Sequence, residues 1–201
     1  MNFQQLPTSQ TLEVRWFIDG EIPSPFQEWF QDRCPGKPVD SSKQRTDYYF
    51  CLPHGTGVNL KLRQGNLELK WQQQYLGIRQ FGKLFSAGGN QVTWQGHLEV
   101  WWKWSHQHIS GFADTTQLNC IPVQKTRSRR VYQGVYCELT QLQVKKQTYW
   151  TLAFEMPVDG ENSVTNFEQV INWITKTNPN FSLSLRQSQS YARWLNTHYF
   201  S

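Results

Sequence analysis

Charge is scarce in this sequence. Asp, Glu, Lys and Arg make up 17% of its 201 residues, against a usual share of about 25%. No apolar run approaches the roughly 20 residues of a membrane-spanning helix. Residues 1–10 lack a basic stretch followed by an apolar one, so no signal peptide is expected. The four cysteines, Cys34, Cys51, Cys120 and Cys137, show no C-x-x-C spacing, and no histidine stands at ligand spacing from them. That excludes the common zinc arrangements. They read as free, mostly buried thiols of a reducing compartment, and the expected location is cytoplasmic. There is no G-x-S-x-G, and no cysteine has the local signature of a nucleophile. Gly55-Thr56-Gly57 lacks the lysine and the strand-loop-helix frame of a P-loop and reads as a turn. His106 and His108 have no carboxylate or cysteine beside them and read as loop histidines. Internal repeats and low-complexity tracts are missing as well.

What is abundant is aromatic. Ten Trp, eight Tyr and twelve Phe make 15% of the chain. Disordered chains lack such groups, so wholesale disorder is excluded. The length suits one domain, residues 1–201, large enough to build a core without metals or disulfides. Lys plus Arg is 20 and Asp plus Glu is 15, a net charge of +5. That excess suits an anionic partner and identifies none. The mean hydropathy is −0.65, so the polarity comes largely from neutral residues, Gln above all.

The patterning is mostly that of strands. Leu12, Val14 and Trp16 alternate with Glu13, Arg15 and Phe17, a period of two. Ser24 would cap a short helix carrying Phe26, Trp29 and Phe30. Strands are expected at 45–52, 58–63, 67–71, 97–105, 123–132, 135–144 and 149–156. Gln64-Gly65-Asn66 reads as a three-residue hairpin loop, with Gln133-Gly134 and Lys145-Lys146-Gln147 as further reversals. Beyond 156 the period changes. Phe167, Val170, Ile171 and Ile174 have helical spacing, with Thr165 or Asn166 as the cap, and 190–195 reads as a terminal helix or turn. The strand-rich part spans about 12–156 and the helical part about 164–199. The expected fold is mainly β: a closed or nearly closed antiparallel barrel with a few flanking helices, one of them C-terminal.

Several strands share one habit, an apolar face backed by a face carrying both signs of charge. Glu13 and Arg15, Lys61 and Arg63, Glu68 and Lys70, Glu99 and Lys103, and Lys125, Arg127 and Arg129 all fall on alternating positions. On any one strand such a face is ordinary solvated surface. Turned inward together in a barrel, these faces would make a polar channel. Its cations would neutralise phosphate oxygens, and its carboxylates would suit a hard divalent ion. Trp94, Trp101, Trp102 and Trp104 form an aromatic run. They read as core packing or as a stacking surface. Acidic residues interleave with basic ones, which argues against a nucleic-acid footprint.

The order of these pieces resembles the CYTH superfamily, the triphosphate tunnel metalloenzymes. Glu13-Val14-Arg15-Trp16-Phe17 stands in the place of the family's E-x-E-x-K strand. Arg45-Thr46-Asp47-Tyr48-Tyr49-Phe50 resembles its next strand. Lys61-Leu62-Arg63 and Leu67-Glu68-Leu69-Lys70 resemble its basic strand and the one after it. Thr126-Arg127-Ser128-Arg129-Arg130, Cys137-Glu138-Leu139 and Ala153-Phe154-Glu155 resemble its later basic and acidic strands. The resemblance spans about 12–156. It implies a tunnel that binds a triphosphate, a polyphosphate or a similar phosphate-rich anion, with Mg²⁺ or Mn²⁺, and a metal-dependent phosphohydrolase activity. Carried over, Lys61, Arg63, Lys70, Arg127 and Arg129 would contact phosphate, joined by Arg15 and Lys103. Glu13, Glu138 and Glu155 would bind metal, and Glu68 and Glu99 would hold neighbouring cations in place.

The first motif departs from the family. Arg15 replaces one carboxylate and Phe17 replaces the lysine. A cation in the shell of a hard metal removes an oxygen ligand and adds repulsion, so anion binding is better supported here than metal-assisted hydrolysis. Two other readings remain open. One is a non-catalytic barrel module for another small ligand or a protein partner. The other is a lipocalin-like barrel with an aromatic lumen, which would put Trp102 and Trp104 inside.

Overall fold

The computed structural model describes residues 8–82, 93–106, 119–178 and 180–200; His108 lies outside them. The described residues hold eight strands: β1 (Thr8–Asp19), β2 (Lys37–Phe50), β3 (Val58–Arg63), β4 (Asn66–Phe81), β5 (Trp94–His106), β6 (Cys120–Tyr132), β7 (Val135–Val144) and β8 (Gln147–Pro157). They close into an antiparallel barrel in the order β1-β5-β4-β3-β2-β6-β7-β8. Each strand thus has a neighbouring strand on both sides.

The strands run longer than their patterning shows. β2 and β4 extend well beyond 45–52 and 67–71, because their added residues pair with β6 and β5 without strict alternation. The β3–β4 turn is shorter than expected. Arg63 pairs with Asn66, leaving a two-residue loop, Gln64-Gly65, with φ of 49° and 79°. Gln133-Gly134 between β6 and β7 matches it, with 47° and 79°. Two successive positive φ values match the twist of the flanking strands, and the second position suits glycine.

Three α-helices lie among the described residues: α1 (Ser24–Glu28), α2 (Ser163–Thr175) and α3 (Tyr191–Leu195). Two expected caps move. Ser24 is inside α1, after Pro23, and α2 begins three residues before Asn166, after Asn162. A π-helical turn, Trp29–Arg33, continues α1. No helix among the described residues is long and apolar enough to cross a membrane.

The main apolar core lies outside the barrel. Leu12, Val14 and Trp16 of β1 meet Leu139 of β7, Leu152 and Phe154 of β8, Phe26 and Trp29 near α1, and Phe167, Val170 and Ile171 of α2. Trp16, Trp29, Trp94 and Trp150 are almost wholly buried. Each large side chain so buried contributes about 1.5–3 kcal/mol. This outer layer uses the apolar faces of β1, β5, β7 and β8 and turns their charged faces into the lumen.

A second cluster fills one end of the lumen. Phe17, Tyr49, Ile121, Val123, Leu142, Val144 and Tyr149 pack against Tyr191, Trp194 and Leu195 of α3. Phe17 stacks on Trp194, centroids 4.5 Å apart and planes 11° apart. The aromatic ring in the first motif is thus part of the floor. The cysteines divide evenly: Cys34 and Cys137 are buried, Cys51 and Cys120 only partly.

Candidate functional site

Above that floor the lumen encloses about 350 Å³. The alternation of the strands lines it with charge. β1 contributes Thr11, Glu13 and Arg15, β2 Arg45, β3 Lys61 and Arg63, and β4 Glu68 and Lys70. β5 supplies Trp101 and Lys103, β6 Lys125, Arg127 and Arg129, β7 Glu138 and β8 Glu155. Eleven of the twelve residues singled out in the sequence therefore face one cavity. The exception is Glu99, which is buried behind it and accepts hydrogen bonds from Gln72 (3.0 Å) and Trp101 Nε1 (3.0 Å). Burial raises its carboxyl pKa, against the pull of the Trp101 hydrogen bond, Arg193 and Lys70. Trp102 lies on the other face of β5 and stacks on Trp71, 6.0 Å away. Trp104 shares that face, so the aromatic-lumen reading fails.

The charges form a connected array. Asp47 of β2, fully buried, receives two bonds from Arg63, both 2.9 Å. Arg45 lies at 3.2 Å, Lys125 at 3.3 Å and Lys61 at 3.7 Å. Burial works to raise the Asp47 pKa, but these cations outweigh it and hold the carboxyl far below its usual range. Glu68 takes Arg63 at 3.0 Å, Lys61 at 3.2 Å and Lys103 at 3.8 Å. Its pKa falls to about 2 because those neighbours overcome burial. Asp47, Arg45 and Lys125 are the residues that sequence reasoning left out of the site. Alternation had already put Lys125 on the charged face of β6, and the same rule on β2 could have supplied Arg45 and Asp47.

One carboxylate shared among four cations cannot satisfy all of them. Lys125 Nζ donates to the Tyr49 hydroxyl at 2.6 Å and lies 3.8 Å from the Tyr191 ring centroid. Burial drives its pKa well below the usual lysine value, more than Asp47 restores. Lys61 is pushed down to about 8, first by burial and then by Arg63, against the pull of Asp47 and Glu68.

Arg15 occupies the centre of the candidate metal site. Its Nε donates to Glu13 Oε1 at 3.1 Å and its NH1 to Glu138 Oε1 at 3.0 Å. Lys70 donates to the other Glu13 oxygen, and Arg127 donates to the other Glu138 oxygen at 3.2 Å. Glu155 faces Lys70 at 3.5 Å. Burial opposes ionisation of Glu13, yet Lys70 and Arg15 bring its pKa to about 2. No set of three acidic, histidine or cysteine side chains among the described residues is placed to hold a metal ion. A hard divalent ion wants six or more oxygens, and all four carboxylate oxygens of Glu13 and Glu138 already accept bonds from cations. The expected set of Glu13, Glu138 and Glu155 therefore does not fit Mg²⁺ or Mn²⁺.

No family model matches the chain, and no curated protein matches it. Several solved structures are similar in fold. A conserved hypothetical protein from Pyrococcus furiosus is 12% identical, with 90% of this chain and 98% of that one covered and a TM-score of 0.45. The PH1819 protein from Pyrococcus horikoshii OT3 is 13% identical, with 91% and 97% covered and a TM-score of 0.48. The Pct1 RNA triphosphatase of S. pombe, in complex with the Spt5 CTD, is 10% identical, with 87% of each chain covered and a TM-score of 0.46.

Proposed function

We propose that the barrel lumen binds a compact, multiply charged anion of the triphosphate or polyphosphate class. One observation carries this reading: the cavity wall holds nine basic side chains and four acidic ones, with Asp47 buried among them. Positive charge is in surplus where water is limited. At an effective dielectric of about 20, two like charges about 4 Å apart repel by roughly 4 kcal/mol. An anion relieves that repulsion, and a chain of phosphates presents enough oxygens to meet several cations at once.

The floor formed by α3 makes this a blind pocket. Lys103 and Glu155, 36% and 35% exposed at the side chain, mark the opposite end. The anion enters there and its leading phosphate goes down toward Arg63, Lys61 and Arg127. The activity proposed is binding.

The test is calorimetric titration of the purified chain with tripolyphosphate, beside a Lys61→Ala variant. Removing Lys61 leaves Asp47 with Arg63, Arg45 and Lys125, and Glu68 with Arg63 and Lys103. No carboxylate is stranded, so the variant should fold. Saturable binding weakened about tenfold or more in Lys61→Ala is the expected result. Equal affinity in both proteins would remove the lumen as the site.

A further inference from the structure

We infer that the lumen takes its phosphate anion on side-chain cations alone, with Arg15 standing where a divalent ion would have to sit. The inference rests on the anion reading above and adds how the anion is held. Four carboxylate oxygens converge on this part of the cavity, two from Glu13 and two from Glu138. Every one of them accepts a bond from a cationic nitrogen: two from Arg15, one from Lys70 and one from Arg127.

A divalent ion would have to displace the guanidinium from both carboxylates. Arg15 has little room to leave. It is 6% exposed, its NH1 also donates to Thr151 Oγ1 at 3.2 Å, and its Cζ lies 4.8 Å from the centroid of the Tyr191 ring in the floor. An arginine cannot escape by losing its proton. An ejected guanidinium would stay charged in a pocket already rich in cations.

The consequence concerns ligand form. A metal-assisted site prefers the metal complex of an oligophosphate. This lumen prefers the bare anion, because a bound Mg²⁺ cancels the charge that the cations recognise and brings its own charge up against them. Free divalent ion therefore competes with the protein for the ligand.

The experiment is titration of the intact chain with tripolyphosphate in EDTA and again in millimolar MgCl₂ at matched ionic strength. A direct titration with Mn²⁺ alone accompanies it. Tighter binding in EDTA than in MgCl₂, with no saturable Mn²⁺ binding, is expected. Binding that appears only with Mg²⁺, or a saturable Mn²⁺ site in the ligand-free protein, overturns the metal-free inference and leaves the anion reading standing. Absence of binding in both buffers overturns the anion reading itself. Arg15→Gln keeps polar contacts while removing the charge. It should lose about tenfold or more in EDTA, and wild-type affinity in this variant would also count against Arg15's place.

Discussion

Lys61 is the residue whose chemistry is most exposed to measurement. It faces Asp47 and Tyr49 from β2, Arg63 on its own strand, Glu68 from β4 and, farther off, Lys103 and Lys125. Its pKa of about 8 means the free protein loses this proton on mild alkalisation. An anion stabilises the charged amine, so ligand binding takes up a proton near pH 8. Affinity for tripolyphosphate should then fall as pH rises through 8, by up to about tenfold per unit. Lys61→Ala should lack that component, and identical pH profiles for the two proteins would contradict it.

Asp47 carries the opposite role, that of the anion on which the array is assembled. Neutralising it in Asp47→Asn leaves Arg45, Arg63, Lys61 and Lys125 facing one another without their shared partner. Removing one side of a buried ionic cluster costs about 3–5 kcal/mol. Chemical denaturation should show a loss of that order. A loss below about 1 kcal/mol would mean that the cluster relaxes into water.

At the scale of elements, α3 decides the shape of the cavity. Trp194 packs on Phe17 and Tyr149, and Tyr191 stacks on Tyr49 with centroids 5.5 Å apart. Trp194→Ala should cost about 3–5 kcal/mol, as large aromatic deletions do, and should open the lumen to water at the floor. Faster hydrogen exchange of the β1 and β8 amides at that end would report the opening.

The charged strands were readable because one rule, alternation, governs them. In β1 and β3 it put Glu13, Arg15, Lys61 and Arg63 together on the face that lines the lumen. It failed where the reason for a residue lay elsewhere in space. Phe17 reads as a departure from a charged motif, yet its place follows from Trp194, far along the chain. Tyr191 shows only helical spacing, and nothing local says that it floors a barrel. Arg15 is legible as a cation among carboxylates, but only the pairing of β1 with β8 and of β8 with β7 brings Glu138 to it.

The whole molecule is a barrel with its main apolar core on the outside and its charges on the inside, and that inversion sets its response to acid. Glu13 and Glu68 titrate near 2 in the folded chain and near 4.3 when unfolded. Their folded values are depressed, so the stability they contribute is complete above the unfolded value and is lost as pH falls toward 2. The midpoint of urea unfolding should hold steady from pH 7 to 5 and drop steeply between 4.5 and 2 in steps set by these groups. A flat profile over that range would contradict the array.

The central claim is that the surplus cations of the lumen are there for an anion. A crystal structure of the chain grown with tripolyphosphate and EDTA tests it most directly. The account predicts phosphorus density inside the barrel, within hydrogen-bonding reach of Lys61, Arg63 and Arg127, with Arg15 still bridging Glu13 and Glu138. Density confined to the outer surface, with a lumen holding only water, would contradict it.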